Sequence, residues 1–488
     1  MPRRVERMSA VDPPRRSPGP LGSLLLVVVL GGVVVGCGPA DRALQVGAGF
    51  TAHVLCSLVF ESGLPPDATF DAYVSAKLGP AYRLASYTVD REDRAVEGRG
   101  LYRRARAIHR EGLGCTLLAG ADEAQLRATV APPRAPRPGT WHERPWPLGG
   151  GGADPPESAA LRDALDAAIE EAFEEPGGPG ELRLTKAIVV AHRGRLVAER
   201  YADGIDATTP LISWSMAKSV LATLVGIAVG EGRLALDASA PVSEWQSEGD
   251  PRRGITLDQL MRMSSGLAFD EHYGAINDVS VMLFTRPDTG RFAASKPLEA
   301  KPDSVWSYSS GTSNVVARLL RDAFGGDLGA MVGWSRARLF ERVGMHSVVF
   351  EPDASGTFVG SSFTFATARD WARFGQLHLQ DGVWDGERVL PEGWVDYVRT
   401  PTPRAPLGIY GAHWWLNAGE PEDPDDRAWP SLPRDVYAAR GMSGQYVIVV
   451  PGADLVVVRL GLAQTEDVEL HGIERLVRRV LDAVASGP

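Results

Sequence analysis

From residue 157 onward the apolar positions follow the periods of alternating helices and strands. Leu161, Leu165, Ala168 and Ile169 recur on one face, which predicts an amphipathic helix over 158–173. Two apolar-rich runs, Lys186 to His192 and Arg195 to Tyr201, flank Arg193-Gly194 and predict a hairpin. Ser215 to Gly230 is a long apolar helix. Tyr446 to Val450 and Leu455 to Leu460 are Val-rich strands joined through Pro451-Gly452, and Val468 to Ala485 returns to helical spacing. Strands near both ends with helices between them predict an α/β body whose sheet joins N-terminal and C-terminal strands.

Upstream the pattern breaks. Residues 131–156 hold Pro132, Pro133, Pro136, Pro138, Pro145, Pro147, Pro155 and Pro156 around the run Gly149 to Gly152, so the segment is predicted to be a linker without regular structure. A second acidic, Pro-rich stretch, Glu420 to Asp426, is predicted to be a surface loop. Between them and the N-terminus, residues 37–130 form an N-terminal domain of unassigned role. At the start, Arg3, Arg4, Arg7, Arg15 and Arg16 precede an apolar run from Leu24 to Val35. That run is shorter than the ~20 residues a bilayer span needs and fits the apolar region of a signal peptide over 1–36. Gly36-Cys37 looks like the lipobox of bacterial lipoproteins, in which the Cys is acylated and becomes the first mature residue; the other reading is an uncleaved anchor with an ordinary Cys. The expectation is a lipid-anchored protein of the bacterial envelope, facing the periplasm or exterior.

The chain has 488 residues, 44% hydrophobic and 23% charged, which excludes whole-chain disorder and a many-span membrane protein. A formal charge of −10 gives no basic surface for nucleic acid. With Cys37 carrying lipid, Cys56 and Cys115 remain; in an oxidising compartment they are expected to pair, the alternative being two buried free thiols.

Three short motifs carry chemistry. In Ser215-Met216-Ala217-Lys218 the hydroxyl and the amine fall on one face at a helix start, where a buried Lys can hold or accept the serine proton. Lys218 is one of only five lysines and lies in an otherwise apolar helix. Taken alone the motif is equally a serine N-cap followed by a snorkelling Lys. In Trp306-Ser307-Tyr308-Ser309-Ser310-Gly311, a Tyr held beside a cationic Lys could serve as a base; alone it is a packed tyrosine in a turn. In Arg440-Gly441-Met442-Ser443-Gly444-Gln445, small residues at a strand end let backbone approach an acyl group and offer an N–H to an oxyanion; alone it is a turn.

In this order and spacing the three resemble the serine β-lactamase and penicillin-binding-protein superfamily. The resemblance is to its class C-like branch of esterases and 6-aminohexanoate-oligomer hydrolases, and runs from about Leu161 to Leu481. Supporting phrases are Leu260-Met261-Arg262-Met263-Ser264-Ser265-Gly266-Leu267, Asp370-Trp371-Ala372-Arg373-Phe374-Gly375 and Gly382-Val383-Trp384-Asp385-Gly386-Glu387-Arg388. It implies an α/β, β-lactamase-like fold, an antiparallel sheet flanked by helices plus an all-α subdomain, over 157–488. By position it implies Ser215 as nucleophile, Lys218 as its proton partner and Tyr308 as the base that activates Ser215. Gly441, Met442 and Ser443 would line the oxyanion and substrate side. Ser310 stands where many relatives have Asn, a contact to substrate lost or taken over by Asn314. Tyr273 resembles a substrate-contacting Tyr of the oligomer hydrolases. Where β-lactamases carry Lys-Thr-Gly this chain has Ala439-Arg440-Gly441, which puts esterase or amidase ahead of antibiotic hydrolysis.

No Gly-x-Ser-x-Gly elbow and no His-Glu-x-x-His occur. The expected protein is therefore a serine hydrolase of small ester or amide substrates, working through an acyl-enzyme without metal or cofactor. β-Lactamase or D-alanyl peptidase activity is the runner-up, and a non-catalytic binding protein on the same fold is the rival from another class.

Overall fold

The computed structural model describes residues 38–486 apart from 138, 142, 155, 157, 179, 273–275 and 468–470. Its first element is the helix Pro39–Phe60, apolar on every side and, by length and composition alone, able to cross a bilayer. Here it is a core helix instead. One face lies on a four-stranded antiparallel sheet of β1 (Ala85–Asp90), β2 (Ala95–Gly100), β3 (Arg103–Arg110) and β4 (Gly114–Leu117). The other faces the helix Asp278–Thr285 of the main body. Glycine makes both approaches possible: a Cβ on Gly98 would stand 2.3 Å from the Ala48 carbonyl oxygen, and one on Gly49 1.9 Å from that of Phe284. Cys56 of the helix and Cys115 of β4 are joined by a disulfide. Where this unit meets the main body, the fully buried Glu351 carboxylate accepts from the Cys115 N–H at 2.7 Å and the Ser57 hydroxyl at 3.0 Å, with His53 Nε2 at 3.1 Å.

Among their described residues, 131–156 contain no helix or strand. They pack against the main body as a strap. Trp146 is buried, and Arg373 reaches out of the main body to donate to the Pro147 carbonyl at 2.9 Å.

The main body opens with the helix Ala159–Phe173, capped by the Ser158 hydroxyl accepting from the Leu161 N–H at 3.3 Å. β5 (Thr185–His192) and β6 (Arg195–Tyr201) follow as the predicted hairpin. A small sheet of β7 (Leu211–Ile212), β8 (Val349–Phe350) and β9 (Thr364–Ala366) frames the start of the helix Met216–Gly230, and β10 (Val383–Trp384) pairs with β11 (Glu387–Arg388). The chain then returns as β12 (Trp415–Leu416), β13 (Tyr437–Gly441), β14 (Gln445–Val450) and β15 (Leu455–Gly461). Together with the first hairpin these make a six-stranded antiparallel sheet in the order β12-β13-β14-β15-β5-β6.

Every residue of β14 and β15 is buried, because both faces of the sheet are covered, and this explains valine runs rather than alternation. Val447, Val449, Val456 and Val458 face inward with the helix Ala368–Leu379, where Gly375 admits the strands. Ile448, Val450, Leu455 and Val457 face the two terminal helices through Leu165, Ile169, Leu476 and Val480. The C-terminal helix is described over Ile473–Ser486. The expected architecture is the one observed: antiparallel sheet, flanking helices and a largely helical region between β7 and β12.

Candidate active site

β7 delivers the chain into a tight corner. Ser213 pins it, its hydroxyl accepting from the Thr364 N–H at 3.0 Å, and Trp214 takes a left-handed φ of +44°, uncommon for a bulky residue. Ser215 then occupies the N-cap of the helix Met216–Gly230 without capping it. Its hydroxyl is therefore left for other partners, at the positive end of the helix dipole.

One turn on, Lys218 is 1% exposed, and all three directions of its Nζ are used. It lies 3.0 Å from Ser215 Oγ, 3.1 Å from Ser310 Oγ and 3.0 Å from the Ser361 carbonyl oxygen. Burial disfavours the ammonium and brings its pKa down to about 8, against the opposing pull of Glu271. A lysine so placed can lose and regain a proton near neutral pH.

Tyr308 precedes the helix Ser310–Asp322, whose cap is the Ser309 hydroxyl accepting from the Thr312 N–H at 3.0 Å. Its ring sits 4.8 Å from Lys218 Nζ, flanked by Tyr410 and Trp415 at 5.8 and 5.3 Å between centroids. The Ser215 hydroxyl acts on its phenol, favouring the ionised form. The residue keeps part of its surface at the cleft, yet burial and then the Glu271 charge push the phenol well above its ordinary range. This bears on the expected division of labour. Burial thus disfavours the charged form of both groups, the phenolate of Tyr308 and the ammonium of Lys218.

At the third motif, Gly441 ends β13 against the corner at Ser215. A Cβ there would stand 2.1 Å from the Ser213 carbonyl oxygen and 3.0 Å from the Ser215 nitrogen, so only glycine allows this approach. Met442 is half-buried beside it, and Arg440 lays its guanidinium over the Trp415 ring at 5.0 Å. Ser215, Lys218, Tyr308, Gly441 and Met442 thus converge.

Three expected substrate contacts lie elsewhere. Ser310 is 1% exposed and sits behind Lys218, its hydroxyl donating to Glu271 Oε1 at 2.6 Å and its N–H to Oε2 at 2.8 Å. Asn314 is fully buried, its amide NH2 donating to the Ser310 carbonyl and Ser361 Oγ, both at 3.0 Å, so it does not replace the missing Asn. Ser443 is fully buried too, facing Tyr73 and Glu466 rather than the cleft. Tyr273 and Cys37 lie outside the described residues. His378 and His413 are buried, and burial brings their pKa values down to about 4 and about 3, which leaves both neutral. Among the described residues no group of three His, Cys, Asp or Glu could hold a metal ion.

Sequence reasoning missed Glu271. It stands in the polar run Asp270-Glu271-His272, where nothing local separates it from solvated neighbours. Only the fold turns it inward, as the carboxylate that balances Lys218 through Ser310.

Comparison with known proteins agrees with the fold. The sequence profile of the family described as Beta-lactamase matches residues 167–480. A 6-aminohexanoate-dimer hydrolase of Paenarthrobacter ureafaciens is 26% identical over 373 residues, 68% of this chain and 86% of the relative. Penicillin-binding protein 4 of Amycolatopsis lactamdurans is 27% identical over 321 residues, 56% of this chain and 75% of that one. Among solved structures, a Bacillus anthracis protein provisionally named a 6-aminohexanoate-dimer hydrolase superposes with a TM-score of 0.53 at 25% identity, covering 63% of this chain and 81% of its own.

Proposed function

From the premise that this chain belongs to the beta-lactamase family and is a serine hydrolase, we propose that it cleaves small esters or amides through an acyl-enzyme on Ser215. The observation that carries the reading is the buried Lys218, 3.0 Å from Ser215 Oγ, with its pKa brought down to about 8.

Neutral Lys218 takes the Ser215 proton as Oγ bonds to the substrate carbonyl carbon. The oxyanion is held by the backbone N–H groups of Ser215 and Met442, which Gly441 allows to face one cleft. As the carbon–heteroatom bond breaks, the Tyr308 phenol supplies the leaving group's proton and is reprotonated from the Lys218 ammonium, returning that lysine to its neutral form. Water then gives a proton to Lys218 while its oxygen takes the acyl carbon, and Ser215 leaves, taking that proton back from Lys218. Lys218 thus serves both half-reactions, and Tyr308 the first.

Exposure to a fluorophosphonate probe followed by intact mass tests this. One adduct on wild type and none on Ser215→Ala is the expected result; a folded wild type without adduct overturns the hydrolase reading and leaves the fold as a binding protein. The Arg440 cation at the third motif and the penicillin-binding relative favour a second reading, β-lactam or D-alanyl peptide turnover. A chromogenic cephalosporin separates the two, since slow or absent cleavage beside ready ester hydrolysis supports the first.

The proposed location is the bacterial envelope, on a lipid at Cys37. The apolar run Leu24 to Val35 and Gly36-Cys37 support it, as does the disulfide between Cys56 and Cys115. An acylated N-terminal Cys37 peptide in the membrane fraction is expected; an unmodified Cys37 in a soluble chain overturns it.

A further inference from the structure

The segment before the strap lies outside the residues matched by the family profile, yet one of its side chains reaches the catalytic corner. Tyr73 is fully buried. Its hydroxyl is 2.8 Å from Trp214 Nε1 and 3.0 Å from Ser443 Oγ. An indole N–H can only donate, so the Tyr73 oxygen accepts from Trp214 and its own proton is left to point at Ser443. The Ser443 N–H in turn donates to Glu466 at 2.9 Å. Lys77, four residues after Tyr73, pairs with Glu466, and Gln464 donates back to the Ala72 carbonyl at 2.8 Å.

The two residues bridged by Tyr73 share a property. Trp214 and Ser443 both hold left-handed backbone, at φ of +44° and +61°, and neither is glycine. Each stands next to an oxyanion-hole donor, Trp214 before Ser215 and Ser443 after Met442. Such conformations persist only where the surroundings over-determine them. One phenolic oxygen fixes both sides of the hole at once.

Resting on the acyl-enzyme reading, we infer that Tyr73 is a positioning residue for the oxyanion hole, so that the N-terminal segment completes the active site rather than merely covering it. Tyr73→Phe keeps the ring's volume and deletes both bonds. The hole then loses its fixed separation, which weakens binding of the transition state more than that of the ground state.

The test is a comparison of kcat, KM and fluorophosphonate labelling rate for wild type, Tyr73→Phe and Ser443→Ala, with melting temperature measured on each. Expected for both variants is a roughly 10- to 100-fold fall in kcat and in labelling rate, with KM within about threefold. The double variant should be no worse than the poorer single one. Ser57→Ala is the control: it deletes a buried bond from the same segment to Glu351, and should lower melting temperature while kcat stays at the wild-type value. Wild-type kcat and labelling in Tyr73→Phe, with only melting changed, overturns the inference and leaves the hydrolase reading intact. Should Tyr73→Phe fail to fold, a wild-type kcat in Ser443→Ala overturns it equally. An unlabelled wild type instead defeats the hydrolase reading, and this inference with it.

Discussion

Replacing Glu271 with Gln should make the enzyme faster than wild type in acid. The carboxylate reaches Lys218 through Ser310, by bonds of 2.6 and 3.1 Å, which sets the two charges about 5 Å apart. At an effective dielectric of about 20 their attraction is about 3 kcal/mol, or roughly two pH units in the lysine's titration. A neighbouring negative charge favours the ammonium, so Glu271 holds the pKa of Lys218 up against burial, and its removal lowers that pKa from about 8 by that amount. In the proposed mechanism neutral Lys218 starts the reaction, so the acid limb of kcat/KM should move by the same amount. At pH 6 the neutral fraction rises from roughly 1% to roughly half, about 50-fold. Gln keeps one of the two acceptors for Ser310, so the plateau at high pH should fall by less than about tenfold. The variant should therefore exceed wild type below about pH 6.5 and trail it above pH 8. Initial rates on an activated aryl ester from pH 5 to 9.5 settle it. A limb that stays in place or moves upward refutes both the electrostatic argument and Lys218 as the base.

Tyr308→Phe should cost amide substrates about 10²- to 10³-fold in kcat and an activated aryl ester less than about tenfold, because only a poor leaving group needs the phenol's proton. Equal losses on the two would remove that role. Gly441→Ala should lower kcat/KM by at least about 100-fold, the methyl forcing β13 away from the Ser213 carbonyl and the Ser215 nitrogen; an active alanine variant would mean the cleft tolerates a wider hole. Replacing Cys56 and Cys115 together by Ser should destabilise by up to about 4 kcal/mol, the chain-entropy value for the loop they close. Urea unfolding checks this, and a loss under ~1 kcal/mol would show the N-terminal unit held by packing alone.

Much of the main body could be read from the chain because its signals are local. The period of Leu161 to Ile169 and the two hairpins are written in neighbours, and the predicted ends agree with the observed ones to within a residue or two. The motifs around Ser215, Tyr308 and Gly441 carry their spacing with them, and the fold brings all three together. What escaped depends on contacts distant in sequence. Asn314 and Ser443 sit beside catalytic motifs and were expected to face substrate, but the helix phase of one and the left-handed turn of the other aim them into the protein. Tyr73 could not have been found, since its partners are Trp214 and Ser443 and no pattern ties them to it. The helix Pro39–Phe60 is a subtler case. An all-round apolar helix satisfies a bilayer and a protein core equally, and only the sheet and the helix packed on its two sides decide between them.

The antiparallel pairing of β5 with β15 has a consequence for biosynthesis. His192 pairs with Leu455, so more than half of the chain lies between partners in the middle of the same sheet. During synthesis β5 waits, one edge unpaired, until β15 has been made. Through that interval the helix Met216–Gly230 and the inner face of β5 lack the strands that bury them. Non-local closure of this kind is slow and invites aggregation. A stop codon just before β15 would therefore remove far more than a terminal strand and helix: the nascent chain would never reach the step that closes its core, and a holding chaperone would be its main protection in the meantime.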